Sequence, residues 1–137
     1  MNNPYQAYTT AGFNTTDPMK LILMLYDGAI NFLKDAVECT EKGDIKGKNI
    51  AANSARDIIV HLNASLNIDV GGDMAKSLRG IYLFMNRHLL ESNWKNDIEG
   101  FKKIIELLEG LRSAWQDAYN TIKSSNAAGS IQAGIAV

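Results

Sequence analysis

Two histidines, His61 and His88, and one cysteine, Cys39, are the residues of this 137-residue chain whose chemistry suits metal ligation or nucleophilic catalysis. A metal site on a helix needs further ligands at helical spacing, and neither an HExxH run nor the Glu-x-x-His pairs of bundle di-iron sites occur. Asp57 and His61 stand one turn apart, a spacing that ordinarily gives a surface hydrogen bond rather than half of a catalytic pair. Cys39 lies in an apolar stripe, where its thiolate is disfavoured. No glycine-rich phosphate loop follows a strand pattern. An exposed helical histidine is all that a histidine phosphotransfer bundle requires, so His61 carries that alternative, although DIIVHLNAS supplies no adjacent Lys and Gly to steady a phosphoryl group. The expectation is a protein that is not an enzyme and holds no metal or cofactor.

What the chain has in surplus is apolar residues at helical spacing. In DPMKLILMLYDGAINFL, residues 17–33, Asp17 can cap a helix whose first residue is Pro18, since Pro lacks only an N–H that would be unpaired there. Leu21, Leu25, Ala29, Phe32 and Ala36 recur at spacings of four and three and share one face. Ile22, Leu23, Met24 and Tyr26 fill most of the remaining circumference. The first two turns are thus too apolar to border solvent, and something besides the core is expected to cover them.

With 46% hydrophobic and 21% charged residues, the chain has enough apolar material for one core and one domain. Fourteen Lys and Arg against fifteen Asp and Glu leave a net charge of -1, so no basic footprint marks nucleic acid or an anionic membrane as a partner. The single cysteine cannot form an internal disulfide and fits a buried small hydrophobe in a reducing compartment. The N-terminus has no basic region followed by an apolar run, and no segment approaches the roughly 18 apolar residues of a membrane span. Membrane insertion is not expected, and the cytoplasm is the expected location.

Residues 1–16 carry no charge, include Pro4 and Gly12, and read as an arm whose Tyr5, Tyr8 and Phe13 are what it has to bury. Residues 17–123 read as four helices. Gly43 ends the first and Asp44 caps the second, a joint so short that the two must run antiparallel. The second turns Ala51, Ala55, Ile58, Leu62 and Leu66 inward, and Asn67 to Gly72 forms the next connection. The third turns Ala75, Leu78, Tyr82, Met85 and Leu89 inward and stops near Asn93. Asn96 or Asp97 caps a fourth, whose stripe runs from Phe101 through Ile104, Leu108, Leu111, Trp115 and Tyr119 to Ile122. The fold class is all-α, an antiparallel four-helix bundle, followed by an uncharged tail over 124–137.

Glycines at 28, 47, 80, 100 and 110 sit inside these helices, each costing about 1 kcal/mol relative to alanine. Some are expected on outer faces, leaving shallow grooves that a second helix can approach. Several apolar residues also miss the core. Leu83 and Leu90 fall together at about 80–100° from Tyr82, with Phe84 further round, and Ile50 and Val60 lie off the inward face of the second helix. Such residues on adjacent helices make a patch that suits an amphipathic helix. A generic helical interaction module, self-association included, is the plainest reading of the residues alone.

The blocks NPYQAY with Tyr5 and Tyr8, DPMKLILMLYDGAINFL, GGDMAKSLRGIYLFM, HLLESN and LRSAW resemble, in order and spacing over roughly residues 4–120, the FliS family of flagellin-specific secretion chaperones. The resemblance implies a cytoplasmic bundle that binds the C-terminal segment of newly made flagellin, keeps it unpolymerised and presents it for export. Other flagellar export or regulatory proteins join it as candidate partners. It also implies that the arm, at Tyr5 and Tyr8, occupies part of the groove when flagellin is absent. With the apolar pattern, it makes Tyr5, Tyr8, Leu23, Tyr26, Ile50, Val60, Leu83, Phe84 and Leu90 the expected partner-facing residues. The arm is expected to plug the bundle near Ile22, Leu23 and Tyr26. The tail, ending IQAGIAV, matches no family motif, and its Ile131 and Ile135 are a second candidate plug.

Overall fold

The computed structural model describes residues 17–136, with side chains described to residue 125. Tyr5, Tyr8 and Phe13 of the arm, and the side chains of Ile131 and Ile135, lie outside the described residues. Four helices follow in order, α1 Pro18–Glu41, α2 Ile45–Ala64, α3 Ile68–Lys95 and α4 Ile98–Ala136, with no strand among the described residues.

The Asp17 carboxylate accepts from the backbone N–H of Met19 at 3.1 Å and starts α1. Gly43, at φ +74°, turns the chain, and Asp44 accepts the Gly47 N–H at 2.9 Å to start α2. Helix α1 lies between α2 and α4, and α3 closes the ring between the same two. Neighbours on both sides give α1 a wide buried arc, in which Leu23, Leu25, Tyr26, Ala29, Ile30 and Leu33 are each 6% exposed or less. Leu23 and Tyr26, expected to face a partner or the arm, are buried, and Tyr26 belongs to the core that all four helices share. Cys39, near the end of α1, is half-buried, and burial together with the Asp44 carboxylate pushes its thiol up.

The second connection is shorter than the Gly-Gly pair suggests. Asn67 caps α3 by accepting the Val70 N–H at 3.1 Å, so a helical turn precedes the pair. The break falls within α3 at Gly72, whose φ of 55° and ψ of -132° suit glycine and strain any residue with a Cβ. At the other end of α3, Asn96 is left-handed at φ 52° and Asp97 accepts the Gly100 N–H at 3.1 Å to open α4. A Cβ on Gly100 would stand 2.1 Å from Ser92 Oγ, so α3 and α4 touch at their joint only because this position is glycine. Buried Lys48 reaches over from α2, its ammonium donating to the Asn93 carbonyl at 2.7 Å and to the Asn96 side-chain oxygen. Those bonds occupy oxygens at the α3 C-terminus, while burial lowers the Lys48 pKa.

Phe101, Ile104 and Leu108 are fully buried, whereas Leu111, Trp115 and Tyr119 are only partly covered, so α4 leaves the core along its own stripe. The backbone of the tail continues α4 to Ala136. A Cβ at Gly80 or Gly110 would meet nothing within 4 Å. Alanine at either site is expected to raise stability by about 1 kcal/mol, seen as a higher urea midpoint. A gain in stability coupled to loss of partner affinity would mark the bare helix surface there as a contact.

Candidate partner-binding site

Away from their pinned joint, α3 and α4 enclose a cleft of about 400 Å³ between Met74, Leu78 and Ile81 on one side and Leu111, Trp115 and Ala118 on the other. A second hollow of about 290 Å³ lies where α1 begins and α2 ends, bordered by Ile22, Leu62, Leu66 and Val70. Met74, Leu78 and Trp115 border both, so the two adjoin. Among the described residues no charged side chain lines either one. Val70 and Met74, on either side of the Gly72 break, stand 84% and 76% exposed at the lip. An uncharged apolar concavity of this size, open to solvent, is what a helix-sized apolar segment can fill.

Tyr82 and Trp115, which border the hollow, join the enclosed Tyr26 in a polar cluster. Trp115 Nε1 donates to the Tyr26 hydroxyl at 3.1 Å, and the Tyr26 and Tyr82 hydroxyls lie 2.5 Å apart. Burial pushes both phenols above the ordinary tyrosine range, and for Tyr26 the adjacent Tyr82 adds to the effect. In the unfolded chain these phenols ionise near pH 10, while in the fold they keep their protons to higher pH. Their contribution is complete below about pH 10 and lost as pH climbs through the folded values, at up to about 1.4 kcal/mol per pH unit for each group. A melting temperature level below pH 9.5 or so and falling steeply above it is expected, with a shallower fall in Tyr26→Phe. Nearby, Arg112 forms a two-bond pair with Asp27 that ties α4 to α1, its Nη2 donating at 3.2 Å and its Nε closer still. The pair raises the Arg112 pKa, but both side chains are partly exposed and its worth is about 1 kcal/mol or less.

The exposed residues picked from the sequence fall in three places. Leu83 and Leu90, 55% and 53% exposed, follow one line of α3 with Trp94 at 86%. That line lies about 140–180° round the helix from Ile81, on the side away from the cleft. Phe84 is only about 60° from Ile81 and stacks on His88 with ring centroids 5.7 Å apart, extending the cleft side along α3. Val60 is exposed on α2, while Ile50 borders a separate hollow with Phe32 and Cys39 between the end of α1 and the start of α2. The cleft residues Leu78, Leu111 and Trp115 lie on stripes whose spacing predicts the core, and Val70 and Met74 lie off those stripes. The available signals were the Gly-Gly break beside Val70 and Met74, and the small Ala114 and Ala118 flanking Trp115.

His61 is half-buried on α2, and burial lowers its pKa, which favours the neutral imidazole. Among the described residues no group of three or more His, Cys, Asp or Glu is placed to hold a metal ion, and no helix is long and apolar enough to cross a membrane.

Comparison with known proteins gives a consistent result. Residues 1–122 match the family described as Flagellar protein FliS. The chain is 34% identical over 118 residues to the flagellar secretion chaperone FliS of Bacillus subtilis, spanning 86% of this chain and 87% of that protein. It is 36% identical over 103 residues to the flagellar secretion chaperone FliS of Salmonella typhimurium, spanning 74% and 76%. Its fold superimposes on the crystal structure of a flagellar chaperone from bacteria with a TM-score of 0.72 at 19% identity, covering 85% of this chain and 95% of that one.

Proposed function

The chain belongs to the FliS family of flagellar secretion chaperones, and from that premise we propose that it binds the C-terminal segment of flagellin in the cytoplasm, prevents its premature polymerisation and delivers it for secretion. As a member of a chaperone family it is not an enzyme, and the histidine phosphotransfer alternative gives way to this reading. The observation that carries the proposal is the pair of adjoining uncharged hollows between α3, α4 and the start of α1. A polymerising subunit keeps its terminal segments amphipathic and unfolded until assembly, and a preformed apolar groove can order such a segment. Covering about 1,000 Å² of apolar surface is worth on the order of 25 kcal/mol gross, most of it offset by chain ordering and lost freedom, which leaves a firm but reversible complex.

The proposed client contacts begin in the cleft and continue along Phe84. A segment long enough to wrap α3 also meets Leu83, Leu90 and Val60. Ile50, in its separate hollow, is left for other export or regulatory partners. The arm competes for the groove in the free chain, lying near Ile22, Leu23 and Tyr26 at the start of α1. Deleting residues 1–12 is expected to tighten client binding, tenfold if the plug is favoured by about 1.4 kcal/mol. Binding abolished by that deletion, with the bundle still folded, would make the arm part of the site instead of its plug.

A seeded polymerisation assay tests the function. The full chain at an equimolar ratio is expected to halt filament growth by its cognate flagellin, and to co-elute with intact flagellin but not with flagellin lacking its C-terminal segment. Undiminished growth at a molar excess of the chain would refute the proposal.

A further inference from the structure

Trp115, Tyr26 and Tyr82 carry three N–H or O–H hydrogens between them and make two hydrogen bonds with one another, so one hydrogen must leave the cluster. Tyr26 already accepts from Trp115 and is completely enclosed. Were Tyr82 the donor across the 2.5 Å contact, Tyr26 would accept twice and its own hydrogen would be sealed unpaired in the core, a costly arrangement. The opposite direction runs Trp115 to Tyr26 to Tyr82, each bond polarising the next. The surplus hydrogen is then that of Tyr82. This side chain is 1% exposed, yet it borders the hollow beside Leu66, Leu78 and Trp115.

We propose that Tyr82 Oη is a recognition donor, and that the flagellin segment seated in the hollow sets an uncharged carbonyl oxygen against it, from its backbone or from an Asn or Gln side chain. The inference rests on the client reading above. A carboxylate is a poor acceptor here, because among the described residues no cation lines the hollow to offset its desolvation. An apolar groove alone admits any amphipathic helix of the right width. A buried donor in its wall penalises every segment that brings no acceptor, since an unpaired buried group costs more than the bond itself gains. Tyr82 therefore selects among apolar segments more than it adds affinity.

The test measures binding of a fluorescently labelled C-terminal segment of the cognate flagellin to the full chain, to Tyr82→Phe and to Tyr26→Phe. Tyr82→Phe is expected to bind about tenfold more weakly. Tyr26→Phe breaks the same internal bond but keeps the Tyr82 hydroxyl, and is expected to bind within about twofold of the unmodified chain. In the unmodified chain, the Tyr82 hydroxyl proton resonance is expected to move downfield when the segment is added, a readout that survives even if a variant fails to fold. Equal binding by Tyr82→Phe, together with an unmoved resonance, overturns the donor role while leaving the client reading intact. A resonance that responds to removal of residues 1–16 but not to the segment assigns the acceptor to the arm and also overturns it. Failure of the unmodified chain to bind at all refutes the client reading on which the proposal rests.

Discussion

Placing a carboxylate in the cleft between α3 and α4 is expected to abolish client binding while leaving the bundle folded. Ala114 borders the cleft and is exposed on α4, so Ala114→Asp costs the free protein little more than a helix-propensity difference of about 0.5 kcal/mol. In the complex the new charge would be desolvated with no cation among the cleft residues to pair with it. A penalty of about 3 kcal/mol or more follows, a loss of over a hundredfold in affinity at almost unchanged melting temperature. Leu83→Asp and Leu90→Asp are the companion variants. They alter the opposite side of α3, should also leave stability nearly unchanged, and weaken binding to the extent that the client wraps the helix. Full binding by Ala114→Asp alongside a collapse in Leu83→Asp would move the main site to that outer line. Unfolding by the outer changes would show that the division of faces is wrong.

The second large effect is on stability. Leu108 is fully buried within the cluster formed by all four helices, and Leu108→Ala leaves a cavity in a region with no slack to refill it. A loss of about 3–5 kcal/mol is expected. For a bundle of this size that lowers the melting temperature by roughly 10–20 °C. A loss below about 1 kcal/mol would mean that α4 packs loosely at this level. Trp115→Ala is not an equivalent core truncation. Trp115 is partly exposed, borders both hollows and donates to Tyr26, so its removal should cost stability and client affinity together.

The helices were legible because their signals are local. Asp17 before Pro18, Gly43 before Asp44, and inward stripes such as Ala51, Ala55, Ile58 and Leu62 each depend on a few neighbouring residues whose spacing has one physical meaning. The candidate site was less legible because burial is set by which helices become neighbours. Tyr26 joins the core that all four helices share, while Ile22, one turn before it, borders a hollow, and the apolar density of this stretch alone does not separate the two. Conversely, Leu78, Leu111 and Trp115 sit on inward stripes, yet they line an opening because α3 and α4 do not close against each other at that level. A stripe tells which way a side chain points and not whether the facing helix reaches it. The Tyr26–Tyr82–Trp115 cluster joins residues 56 and 89 positions apart, and no local pattern announces it.

Calorimetric titration of the C-terminal segment of the cognate flagellin into the full-length chain tests the central claim most directly. The account predicts saturable one-to-one binding at micromolar concentration or tighter, with a negative heat-capacity change from apolar burial. Heats indistinguishable from dilution across the micromolar range, or the same heats with a scrambled segment of identical composition, would contradict it.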